Sequence, residues 1–98
     1  MTVRDAVRDF LEVTPLPSES DASEEELDEL QRRLEAINPP VSVDEAELLA
    51  GAFGSDDCYG LAWTLLHLIE TAPGQPAIAE PTVETNEWVR RLWERRVG

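Results

Sequence analysis

Cys58 and His67 are the residues whose types suit nucleophilic catalysis, since a thiolate attacks and an imidazole takes up its proton. They are nine positions apart in a segment predicted to be helical. At about 100° per residue they project from opposite sides of a regular helix, which excludes a thiol–imidazole dyad there. We interpret Cys58 as a core cysteine. We interpret His67 as a surface or half-buried histidine paired with Glu70, the alternative being a pH switch.

Carboxylates are abundant, but their pattern specifies neither a reaction nor a metal. The stretch from Glu12 to Glu29 holds acidic residues and no basic one, yet it lacks the central Gly and the terminal Glu of an EF-hand loop. No pair of carboxylates for glycoside hydrolysis stands out among 21 acids. A single Cys and a single His do not form a metal site. We therefore predict a protein that is not an enzyme and that holds no metal or cofactor.

The charge balance points to a cationic partner. Against 21 acids the chain has 8 arginines and no lysine, so its formal net charge is −13. Nucleic acids and anionic lipids are bound through basic patches, and both are therefore excluded as partners. An acidic surface steers a basic protein towards it, whereas the alternative is a solvated face without a specific partner. The predicted partner-binding residues are Glu24, Glu25, Asp28, Glu29, Asp56 and Asp57.

The C-terminal segment combines tryptophans with arginines, the residue types most enriched in binding hot spots. Trp88 and Trp93 share a helix face with Val89 and Leu92, which favours core packing over an exposed contact. The arginines have three possible roles: pairing with the acidic second helix, complementing the helix dipole, or self-association. They are Arg90, Arg91, Arg95 and Arg96. If the chain forms a homodimer, the predicted contact residues are Trp88, Trp93, Arg90 and Arg91.

Helical periodicity and capping signals predict the elements that position these residues. The predicted helices span residues 2–13, 22–37, 43–53, 56–71 and 86–97, and the linkers between them span 14–21, 38–42 and 72–85. Their predicted N-caps include Thr2, Asp21 or Ser23, Ser42 and Ser55. The second helix has only a narrow apolar stripe, whereas the fourth is apolar around most of its circumference and is predicted to be central.

The predicted fold is a single all-α domain of four to five antiparallel helices. It is either a small bundle or a HEAT-like array of helical hairpins, because the connectors are short. No apolar run is long enough to cross a bilayer, and the N-terminus is typical of an amphipathic helix rather than a signal peptide. We therefore expect a cytoplasmic protein.

Two segments, Phe10 to Ala22 and Phe53 to Gly60, flank a charged helix and a Pro-Pro break. In this arrangement the chain resembles the N-terminal part of small bacterial HEAT-repeat-like helical proteins, a group associated with toxin-neutralising immunity proteins. The resemblance covers about residues 3–70. Such proteins usually continue into further helix pairs, so here residues 81–98 would cap the array or support a dimer. No functional residue is carried over from the family.

These observations favour a non-enzymatic binding protein, in particular an immunity-type inhibitor whose acidic face covers a basic site of a partner toxin. The alternative is a helical homodimerisation or scaffold module without a toxin partner.

Overall fold

The computed structural model describes residues 3–74 and 80–97, and every regular element in these two ranges is helical. The all-α prediction is therefore confirmed. A single 3₁₀ turn, Ala50–Ala52, extends the third helix. The α-helices in the described ranges are α1 Asp5–Leu11, α2 Glu24–Glu35, α3 Val43–Leu49, α4 Leu61–Ile69 and α5 Glu87–Val97.

Two of the predicted helix starts are confirmed in atomic detail. At α2, Ser23 Oγ accepts a hydrogen bond from Glu26 N, and Glu26 Oε1 accepts one from Ser23 N. At α3, Ser42 and Glu45 form the same reciprocal capping box. Each box satisfies two N–H groups that the first helical turn leaves without a partner. The predicted cap Thr2 lies outside the described residues.

The predicted start of the fourth helix is wrong by five residues. Ser55 is not its N-cap, because Cys58, Tyr59 and Gly60 have positive φ angles of 48°, 54° and 91°. Successive left-handed residues cannot belong to a right-handed helix, so α4 begins only at Leu61. The apolar side chains before Leu61 therefore belong to a turn, which we call the 55–60 turn.

The core is built around α4, as its composition predicted. Six of its nine residues are buried, and α4 packs between α3 and α5, while α1 packs on α2 and α3. The narrow stripe of α2 is buried through Leu30 and Leu34 and continues into Ile37. The molecule measures 36 × 32 × 17 Å along its principal axes. Its shortest dimension is less than two helix diameters, about 10 to 12 Å each.

A buried carboxylate joins three segments of the chain. Glu45 is 2% exposed, and Arg4 approaches it through Nε at 3.0 Å and Nη2 at 3.2 Å. The backbone N–H groups of Arg4 and Ser42 also donate to it, at 3.0 and 2.8 Å. Arg4 Nη1 donates to Asn38 O in the α2–α3 connector. We call this group of contacts the Arg4–Glu45 network.

Burial raises the pKa of Glu45, but the hydrogen bonds from the Arg4 side chain, the Arg4 backbone and Ser42 outweigh it and lower the pKa from 4.5 to about 2. The folded state therefore binds this proton less readily than the unfolded chain does. The resulting stability is fully present above about pH 4.5 and is lost as the pH falls towards 2.

Glu45→Gln is expected to lower the free energy of unfolding by about 2 to 3 kcal/mol at pH 6, because Arg4 then loses the carboxylate with which it forms an ion pair. The difference from the unsubstituted chain should shrink by about 1 kcal/mol at pH 3.5, where ionisation of Glu45 contributes less. Urea unfolding followed by tryptophan fluorescence measures both values. Asp44→Asn, at an exposed position of the same helix, is the control. A difference that does not change with pH would contradict the assignment.

Candidate functional site

Among the predicted partner-binding residues, the acids at the start of α2 are exposed and make no ion pair with a described residue. Glu24, Glu25 and Asp28 are exposed, and their carboxylates make no hydrogen bond or ion pair with another described residue. Glu29 differs from them, because it pairs with Arg32 and Arg33 on its own helix. Hydrogen bonds from Arg33 and then from Arg32 lower the pKa of Glu29. Its charge is therefore already paired within the chain, and its predicted role in binding a partner stays a prediction.

The two predicted acids outside α2 lie in the 55–60 turn, where Asp56 has a structural role. Its Oδ2 accepts a hydrogen bond from Glu19 N and its Oδ1 accepts one from Cys58 N, both at 3.0 Å. In return, Glu19 Oε2 accepts from Tyr59 N at 2.9 Å, and Glu19 O accepts from the Tyr59 hydroxyl. These bonds hold the left-handed residues of the turn against the connector between α1 and α2. Asp56 therefore supports the turn, and its predicted role in binding a partner stays a prediction.

Asp57 is half-buried, and its Oδ1 is buried without a hydrogen-bond partner among the described residues. Its backbone oxygen accepts from Gly60 N and Ala62 N. Of the six predicted partner-binding residues, the structure thus leaves Glu24, Glu25 and Asp28 exposed together on α2.

An open groove of about 730 Å³ lies beside these free carboxylates. The connector contributes Val13, Pro15 and Pro17 to its lining. The residues of α2 and its N-cap that line it are Ser23, Glu25, Glu26, Glu29 and Leu30. We call it the connector–α2 groove. The sequence does not predict this groove, because it depends on where the connector lies against α2, which is a tertiary contact.

The connector is held in place by the residue between its two prolines. Leu16 is 2% exposed, and its N–H donates to Ala52 O at 2.9 Å. Gly54 lets the backbones meet, since a Cβ there would lie 2.0 Å from Leu16 O. With Leu16 directed into the core, Pro15 and Pro17 are left to line the groove. The groove is therefore formed before any ligand binds.

The predicted self-association residues are largely used inside the molecule. Trp88 is 2% exposed, stacks on Phe53 at 6.0 Å and meets the edge of Trp63 at 5.0 Å. The Arg91 guanidinium lies 4.5 Å from the Trp88 ring centroid and 5.6 Å from that of Trp63. Core packing of Trp88 is confirmed, so this residue is unavailable for contact with a second copy. Trp93 is half-buried.

The C-terminal arginines do not pair with α2 where their side chains are described. Arg95 binds Glu70 through Nε at 2.6 Å and Nη2 at 2.9 Å, which ties α5 to the end of α4. Arg91 also binds Glu87, at 2.9 Å, and Arg90 donates to Thr82 O. The side chain of Arg96 lies outside the described residues. Glu70 therefore serves Arg95, and His67 instead contacts the Trp63 ring, with centroids 6.0 Å apart.

Cys58 is fully buried, as predicted for a core cysteine. Burial raises the pKa of its thiol, and the negative charges of Asp56, Glu19 and Asp57 raise it further. Our geometric reason for excluding a dyad was wrong, because Cys58 precedes α4. The structure nevertheless places Cys58 in the core and His67 at the surface.

Within residues 3–74 and 80–97, no three His, Cys, Asp or Glu residues are arranged to hold a metal ion. No helix in these ranges has the length and apolar character needed to cross a bilayer. Searches of family models, curated proteins and solved structures found no match to this chain. The HEAT-like resemblance therefore stays a prediction.

Asp56→Ala is expected to lower the free energy of unfolding by about 1 to 2 kcal/mol, because it leaves two backbone N–H groups without their acceptor. Glu84→Ala, at an exposed position in the segment before α5, should change it by less than about 0.5 kcal/mol. Urea unfolding of both variants measures the difference. Equal effects would show that Asp56 does not support the turn.

The Cys58 thiol is expected to be unreactive in the folded protein, since it is buried and kept protonated. Its rate of reaction with Ellman's reagent at pH 8 should be at least roughly 100-fold lower than in urea. Glutathione in the same two solutions corrects for the effect of urea. A folded-state rate near that of glutathione would place the thiol at the surface.

Proposed function

We propose that this chain is a non-enzymatic binding domain that uses the exposed acids of α2 to bind a basic protein. In its specific form, the proposal is an immunity-type inhibitor that covers the cationic site of a toxin. The observation that carries it is a group of exposed acids on α2 that form no ion pair within the chain. Glu24, Glu25 and Asp28 make no ion pair with a described residue. The arginines with described ion pairs bind other acids: Arg4 binds Glu45, Arg95 binds Glu70, and Arg32 and Arg33, on α2 itself, bind Glu29.

Charge separation of this kind supports binding for two reasons. Arg4, Arg91 and Arg95 pair with Glu45, Glu87 and Glu70, so the chain does not use them to screen the start of α2. Exposed carboxylates on a helix surface attract a cationic partner and increase the rate at which the two proteins associate. They also need no rearrangement before they meet it.

The alternative, a homodimerisation module, has less support. Trp88 is in the core and Arg91 lies against two tryptophan rings and Glu87. Two of the four residues predicted to contact a second copy are therefore already occupied within one chain.

Co-purification from the native cells with two matched triple variants tests the proposal. E24Q/E25Q/D28N removes three charges from α2, and E80Q/E84Q/E94Q removes three exposed charges elsewhere. At about 0.05 M salt the unsubstituted chain and the second variant should retain the same basic protein, and about 0.5 M salt should release it. The first variant should retain about tenfold less. Circular dichroism checks that each variant is folded.

Equal retention by the two triple variants would contradict the proposal, as would the absence of any basic protein among those retained. A salt-insensitive homodimer with nothing else bound would instead favour the scaffold module.

A further inference from the structure

We infer that the connector–α2 groove is the place where an arginine side chain of the basic partner docks, an inference that rests on the proposed function. The groove joins two kinds of surface that match the two parts of arginine. Val13, Pro15 and Pro17 present apolar surface, and Glu25 and Glu26 present carboxylates. An arginine has an apolar stem of three methylene groups that ends in a planar cation.

Among the groove's carboxylates, Glu25 is the one open to a ligand. Glu29 pairs with Arg32 and Arg33, and Glu26 uses Oε1 to accept from Ser23 N at 3.4 Å. Glu25 is exposed and has no partner among the described residues. The two oxygens of the Glu25 carboxylate can accept the two parallel N–H groups of a guanidinium. This geometry favours arginine over lysine, whose ammonium group binds as a point charge.

The fixed shape of the groove suits this occupant, and its volume of about 730 Å³ leaves room for an arginine side chain. Leu16 anchors the connector to Ala52, so the proline surface is in place before the ligand arrives. Preorganisation of this kind lowers the entropy lost on binding.

The test uses purified, ¹⁵N-labelled protein and acetylated, amidated hexa-arginine in an NMR titration. Hexa-arginine should shift the amide resonances of Val13 and of residues 23–30 more than those of α5. Glu25→Gln should weaken binding by about three- to tenfold, because it removes the free carboxylate of the groove. Glu35→Gln is the matched control: it removes an exposed charge at the other end of the same helix, outside the groove lining, and should weaken binding less than twofold.

A second peptide tests the apolar half of the groove without altering the protein. Hexapeptides of 2-amino-3-guanidinopropionate carry the same charge as hexa-arginine on a stem shorter by two methylene groups. They should bind about three- to tenfold more weakly, because less apolar surface is buried. Hexa-lysine should also bind more weakly than hexa-arginine.

Equal effects of Glu35→Gln and Glu25→Gln, or equal affinity for the long- and short-stemmed peptides, would contradict docking of arginine in the groove. Binding would then depend on the overall charge of α2, and the proposed function would stand. If hexa-arginine shifts no amide resonances, docking of arginine in the groove is likewise contradicted. Failure of the proposed function is detected separately, by equal retention of the native partner by the two triple variants.

Discussion

The fold depends on one buried carboxylate that needs partners from distant parts of the chain. Without them, Glu45 would place an uncompensated charge in the interior, at a cost that a small domain cannot absorb. Arg4, from the start of α1, and the backbone of Ser42 supply the required donors, and Arg4 extends to the α2–α3 connector. The need to neutralise this one charge thus holds α1, α3 and the α2–α3 connector together. With α1 positioned in this way, the connector between α1 and α2 packs beside α2, and the two form the connector–α2 groove.

The distribution of the arginines explains why an acidic protein keeps a compact shape and still has a strongly charged surface. The described arginine pairs join elements to one another or lie along a helix: Arg4 meets Glu45, Arg95 meets Glu70, and Arg32 and Arg33 meet Glu29. None of these pairs involves the first acids of α2. Repulsion among those acids therefore persists in the protein. The carboxylates that hold the fold together thus differ from the exposed ones of the proposed binding surface.

What could be predicted from the sequence was local. The Ser23–Glu26 and Ser42–Glu45 boxes follow from residues three positions apart, and the central role of α4 follows from its composition. The start of α4 could not be predicted, because Glu19, 40 residues from Tyr59, helps to hold the left-handed turn. The Arg4–Glu45 pair spans 41 residues. The groove depends on a backbone hydrogen bond between Leu16 and Ala52, and no periodicity in the sequence predicts this bond. Tertiary contacts, rather than propensities, decided these features.

The 17 Å thickness of the molecule has a consequence for how such a protein can diversify. In a body this thin, a helix such as α2 has one side in the core and the other in solvent. Leu30 and Leu34 are buried, while Glu24, Glu25 and Asp28 on the same helix are exposed. Substitutions on the outer side leave the packing side untouched. The outer side of α2 can therefore change in sequence while the sequence of its inner side is retained.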